Sequence, residues 1–166
     1  AVCQSYYASY GHSLEIIRTR AFNHEGPRRN SHGALASFAR QIVEIEKGLK
    51  DPIVRVGNLD VTRNFTDVRD MVKAYYLAME HGEPGELYLI GSDNIYTIKD
   101  CLDILISLST YSGTIRIEQD AERKRPTELP LLIGDYTKFR TLTNWRTEYD
   151  FERTLADILD YWRTQV

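Results

Sequence analysis

The sequence predicts an α/β fold, and three observations carry that expectation. Helical and extended periodicities alternate along the 166 residues. The extended stretches are short, rich in β-branched residues, and closed by glycine or a polar cluster. One such closure, Asn23-His24-Glu25-Gly26, runs into Pro27, Arg28 and Arg29. Ligands of open α/β sheets sit outside the carboxyl ends of strands, and this polar burst falls at such an end.

The elements follow in order. Residues 1–10 carry Val2, Cys3, Tyr6, Tyr7 and Tyr10 at helical spacing, with Gly11 as a stop and no cap at the start, as though the chain were cut within a helix. Residues 14–20 read as a strand, after which residues 23–26 form a polar loop that Pro27 closes. Leu35, Phe38, Ala39, Ile42 and Ile45 mark a helix over 34–47, ended by Gly48. Residues 53–56 are a strand closed by Gly57-Asn58. Thr66 or Asp67 caps a helix whose apolar stripe is Val68, Met71, Val72, Tyr75 and Met79, with both methionines in the core. Residues 86–90 form a strand stopped by Gly91-Ser92. Thr97 to Asp100 resembles a capping box and opens a helix burying Cys101, Leu102, Leu105 and Ile106. A strand at 115–118 leads to a charged stretch, 120–130. Asp135 caps a short helix through Leu142, and Asp150 caps a last one with Leu155, Ile158, Leu159 and Trp162 inward. Few strands for this length imply that some pair with chain not included here.

Composition bounds the function. Apolar content of 42% and charged content of 27% describe a globular domain able to bury a core. A net charge of −3 gives no general attraction to nucleic acid or anionic lipid, so anion binding must be local. Cys3 and Cys101 make neither a disulfide framework nor a metal-ligand pattern, and the histidines are isolated, so no metal site is expected. No apolar run spans a bilayer and no signal peptide is visible, so a cytoplasmic location is expected, without membrane partners. Asn64-Phe65-Thr66 is then a chance glycosylation sequon.

Arginine recurs in three loops or element ends: Arg28-Arg29, Arg63, and Arg123 with Arg125. A guanidinium donates parallel hydrogen bonds and keeps its charge, so arginines converging from separate loops suit a diphosphate. Most exposed arginines are merely solvated, and spacing alone does not distinguish the two cases. A helix amino terminus beside Arg63 would add to such a clamp.

The run Arg20-Ala21-Phe22-Asn23-His24-Glu25-Gly26-Pro27-Arg28-Arg29 resembles the segment after the catalytic helix of extended short-chain dehydrogenase/reductases, and most closely that of GDP-mannose 4,6-dehydratases. Arg63-Asn64-Phe65-Thr66-Asp67-Val68-Arg69-Asp70, Arg125-Pro126, Leu132-Ile133-Gly134-Asp135 and the closing Trp145 and Tyr161-Trp162 continue the likeness in order. The resemblance implies the carboxy-terminal, substrate-binding portion of a Rossmann-like fold, a single domain over 1–166 with the dinucleotide-binding half absent. It implies that Asn23, Arg63, Arg125 and Glu128 contact a GDP-sugar substrate, Arg63 and Arg125 through the diphosphate. His24 and Arg29 match positions that contact NADP (or NAD), a cofactor bound mainly by the missing half. A homo-oligomer is implied for the full-length enzyme. Asn64 departs from the family's aspartate and Gly26 from a common serine, which leaves the sugar less defined than the fold.

In that family a Tyr-x-x-x-Lys pair drives hydride transfer, and a glycine-rich turn cradles the dinucleotide. Neither occurs in these residues, so no catalytic residue is assigned here and the chain alone is expected to be inactive. The parent reaction would oxidise C4 of GDP-mannose, eliminate water across C5 and C6, and return hydride to C6. The alternatives are a GDP-4-keto-6-deoxymannose reductase, a UDP-sugar epimerase or dehydratase, and a non-catalytic binding module.

Overall fold

The computed structural model describes residues 2–123, 127 and 129–166. Its elements run α1 (Val2–Tyr10), β1 (Arg18–Ala21), β2 (Asn23–Glu25), α2 (Ala34–Glu46), β3 (Ile53–Val56), β4 (Thr62–Asp67), α3 (Val68–His81), β5 (Leu87–Ile90), β6 (Ile95–Thr97), α4 (Ile98–Ser107), β7 (Arg116–Gln119), a 3₁₀ turn (Ala121–Arg123), β8 (Leu131–Leu132), α5 (Thr137–Thr143) and α6 (Phe151–Gln165). The predicted α/β alternation is present, in three small sheets: β1 with β5, β3 with β7, and β2-β4-β6 with β8 added to β4. All pairs are parallel except β4 with β6.

Two boundaries differ from the sequence expectation around the functional loop. The first strand begins at Arg18 rather than residue 14, because β5 offers partners only from Arg18 opposite Leu87 to Ala21 opposite Ile90. Asn23 to Glu25 form strand, not loop, because β4 supplies a ladder: Asn23 opposes Phe65 and Glu25 opposes Asp67. The chain therefore changes neighbours at Phe22, leaving β5 for β4, and such a switch opens a crevice at strand ends. Pro27 then ends the ladder, and Arg28 takes φ 74°, a left-handed conformation that β-carbons disfavour.

Two apolar cores support this switch. The larger joins α2, α4 and α6 over β3 and β4, with Phe65 stacked on Phe151 at 4.8 Å between ring centroids. The smaller joins α3 and α5 to β5 through Met71, Ala74, Ala78, Tyr88, Phe139 and Trp145. Helix α3 is turned from the predicted stripe: Val72 and Met79 are 60% and 69% exposed, while Ala74 and Ala78 are buried. Small side chains let the helix approach the strands closely, which the larger residues would not permit. Met79 is accordingly not a core residue. Helix α1 buries no side chain.

Caps follow the sequence closely. Asp67 caps α3, Asp150 caps α6, and Thr97 with Asp100 completes a capping box on α4. Asp67 also binds Arg69 and the Thr154 hydroxyl, tying α3 to α6. For α5 the preceding Asp135 accepts from the Thr137 amide, one residue before the formal cap. The sequon asparagine, Asn64, is wholly buried and donates to the Ser92 carbonyl.

Candidate functional site

A cleft of about 460 Å³ opens where the carboxyl end of β2 meets the amino end of α2. Volumes of this order suit small-molecule ligands. Asn23, Arg29 and Arg63 all line it, so three predicted substrate and cofactor residues converge on one space. Successive strand residues face opposite sides of the sheet, which directs Asn23 and Glu25 into this cleft and His24 away from it. His24 lines a second hollow of about 250 Å³ with Arg28 and Arg29. Its Nδ1–H donates to the Phe22 carbonyl at 3.0 Å, which leaves Nε2 as the ring's acceptor. Arg29 and Glu25 form the shared wall of the two spaces. Arg125 and Glu128, expected in the site, lie outside the described residues.

The cleft lining sets three guanidinium groups, Arg29, Arg63 and Arg123, against the carboxylates of Glu25 and Glu122. Arg29 is paired with Glu25 at 3.1 Å and Arg123 with Asp120 at 3.2 Å. Arg63 has no carboxylate partner among the described residues; its Nη1 donates to the Thr62 carbonyl at 2.7 Å. A half-buried, unneutralised guanidinium favours an anion. The helix terminus beside it is not the expected one. Asp67 already caps α3, whereas α2 begins at Gly33 with no side-chain cap and no acid in its first turn. Its free amides, with Gly33, Ala34 and Leu35 lining the cleft, provide the partial positive charge. The absence of a side chain at Gly33 matters here, since a β-carbon would meet Arg29 Nε at 2.5 Å.

Of two further lining residues, Arg123 belongs to the arginine segments named from the sequence, whereas Glu25 was not singled out there. Arg123 reaches from the 3₁₀ turn to the Ser37 hydroxyl of α2 at 3.2 Å and closes one side. Glu25 is 5% exposed, and its burial raises its pKa to about 7 against the opposing charge of Arg29. The sequence signal for Glu25 was its two-residue spacing from Asn23, which becomes informative once those residues are read as strand.

Comparison with known proteins adds identity to this geometry. The family profile described as GDP-mannose 4,6 dehydratase matches residues 1–158. GDP-6-deoxy-D-mannose reductase of Pseudomonas aeruginosa is 32% identical over 151 residues, covering 91% of this chain and 49% of that protein. GDP-mannose 4,6 dehydratase 1 of Arabidopsis thaliana is 27% identical over 156 residues, covering 94% and 42%. Among solved structures, RMD from Pseudomonas aeruginosa complexed with NADPH superposes with a TM-score of 0.89 at 30% identity, covering 99% of this chain and 53% of that one. A Bacillus anthracis dTDP-glucose 4,6-dehydratase in complex with NAD shares the fold, with a TM-score of 0.81 at 21% identity over 98% of this chain and 49% of that one. The chain spans about half the length of the relatives it matches.

Proposed function

Because this chain belongs to the GDP-mannose 4,6 dehydratase family, we propose that it is the sugar-nucleotide-binding part of an NADP-dependent enzyme acting on a GDP-linked hexose. The observation that carries this reading is Arg63, a guanidinium with no carboxylate partner among the described residues, on the same cleft as Asn23 and the uncapped start of α2. Arg63 and the α2 amides would hold the diphosphate, Arg125 would be its second arm, and Glu128 would lie near the nucleotide ribose. Asn23, with both a donor and an acceptor, would take the sugar end.

The hollow at His24, Arg28 and Arg29 suits part of an anionic dinucleotide, with one ring acceptor and two guanidinium groups. His24 and Arg29 would contact the cofactor there. When bound, a nicotinamide cofactor supplies or accepts hydride. This chain's residues would position the hexose, and the tyrosine–lysine pair would come from outside these 166 residues. Dehydration is the reaction named by the family. Reduction of a 4-keto-6-deoxy sugar is the second reading, favoured by the 32% identity to the reductase.

Calorimetric titration of the chain tests the binding assignment. GDP-mannose and GDP should bind, UDP more weakly. Arg63→Ala should weaken GDP about 30-fold, the equivalent of about 2 kcal/mol for a charge-assisted contact. Arg153→Ala, an exposed α6 residue paired with Asp157, should leave affinity unchanged. Preference for UDP would refute the GDP assignment, and normal GDP binding by Arg63→Ala would refute the clamp.

A further inference from the structure

Glu25 is a buried carboxylate with an ion-pair partner at one oxygen and, among the described residues, no partner at the other. Its Oε1 lies 3.1 Å from Arg29 Nη1. Its Oε2 is shielded from solvent and receives no hydrogen bond among the described residues. Buried acceptors are nearly always satisfied, so an orphan oxygen on a residue that lines the cleft points to a donor that arrives with the ligand. A purely structural role is a poor fit, because the Arg29 pair uses only one oxygen and Arg29 itself is half-exposed.

The position of Glu25 gives the cleft a polarity. In the β2–β4 register Glu25 lies opposite Asp67, and Arg63 is four positions earlier on β4. At about 3.3 Å per strand residue, the backbone levels of Glu25 and Arg63 are roughly 13 Å apart along the strands. Asn23 sits between those levels, opposite Phe65, on the same face as Glu25. A carboxylate repels phosphate, so the group that meets Glu25 must be a neutral donor.

We infer that Glu25 is a ligand-contacting residue of this cleft, accepting at Oε2 a hydrogen bond from a neutral hydroxyl or N–H group of the sugar nucleotide. The assignment rests on the sugar-nucleotide reading of the cleft and adds a residue that senses an uncharged part of the ligand. Glutamine is the informative replacement. It has a single acceptor oxygen, which Arg29 claims, and this turns an amide N–H₂ toward the ligand's donor.

The test is titration of the chain, of Glu25→Gln and of Glu25→Asp with GDP-mannose and with GDP at pH 8, where the carboxyl is ionised. Glu25→Gln should bind GDP-mannose at least 10-fold more weakly, and Glu25→Asp should fall between it and the parent. If the loss is confined to GDP-mannose, the donor is a hexose hydroxyl. If GDP weakens equally, the donor lies on the nucleoside. Both outcomes support the assignment. Parental affinity for both ligands in Glu25→Gln would overturn it while leaving the Arg63 clamp standing. Failure of the parent chain to bind either ligand would overturn the cleft reading and this inference with it. Thermal melts confirm folding, and Glu25→Asp supplies the answer should Glu25→Gln not fold.

Discussion

Replacing Glu25 by glutamine should stabilise the chain, by an amount that depends on pH. Burial raises Glu25 to about 7, against 4.5 for the unperturbed group, with Arg29 pulling the other way. The folded state therefore holds a proton that the unfolded state has released between these values, and stability falls as pH rises through that window. Below about 4.5 both states are protonated and the group is neutral in its effect. Above about 7 the folded protein carries an ionised carboxylate that is poorly solvated, and the penalty is complete.

At 1.36 kcal/mol per pKa difference of one, the full penalty is about 3 kcal/mol, of which roughly 2 to 3 kcal/mol develops between pH 5 and pH 8. Glutamine has the shape of the protonated acid and does not titrate. Arg29 loses its charged partner, but its side chain is 45% exposed and water solvates the guanidinium. Urea unfolding of both proteins at pH 5 and pH 8 provides the measurement. The stability advantage of Glu25→Gln should widen by that amount at the higher pH. An advantage that does not change with pH, or one that shrinks, would refute the argument. It would mean that Glu25 is ionised and satisfied, and its free oxygen would lose its significance for ligand binding. The same result matters for the binding test, since a more stable variant that binds less cannot owe its weakness to unfolding.

Two further predictions concern the frame of the site. Glu46, nearly buried at the end of α2, should produce the opposite pH response. Burial opposes its ionisation, yet hydrogen bonds from Arg163, Thr110 and Ser109 outweigh that and hold it at about 2. Its contribution is present above the unfolded value near 4.5 and is lost as pH falls toward 2, so Glu46→Gln should flatten the acid side of a stability profile measured by urea unfolding. Gly134→Ala should destabilise by about 1–3 kcal/mol, since its β-carbon would stand 1.9 and 2.0 Å from ring carbons of Phe22. A double variant with Phe22→Ala should lose less than the sum of the two single losses, and strict additivity in thermal unfolding would contradict the contact.

How far the sequence reached depended on whether the deciding partner was local. Caps at Asp67, Thr97 and Asp150 rest on side chains two or three residues from the amides they satisfy, and they were legible. The strand at Asn23 to Glu25 was not, because its composition is that of a loop and its ladder comes from β4, about forty residues away. That misreading hid Glu25: in a loop it is one polar residue among four, while in a strand its alternation with His24 places it beside Asn23. The stripe on α3 failed for a related reason. Val72, Tyr75 and Met79 satisfy helical periodicity, but so do Met71, Ala74 and Ala78, and only the strands beneath decide which face is covered. The resemblance identified Arg63 without showing which helix would assist it, since an uncapped α2 becomes relevant only when Gly33 and Arg63 are seen to share a cleft. The misread strand lies at the change of strand partners at Phe22. There a short polar run is given strand geometry by distant chain, so that one carboxylate and one amide face the ligand cleft while the intervening imidazole faces the neighbouring hollow. A one-residue shift of that register would exchange the two sets and place His24 on the ligand cleft. The register of β2 on β4 is therefore what separates the proposed sugar-nucleotide side from the proposed cofactor side.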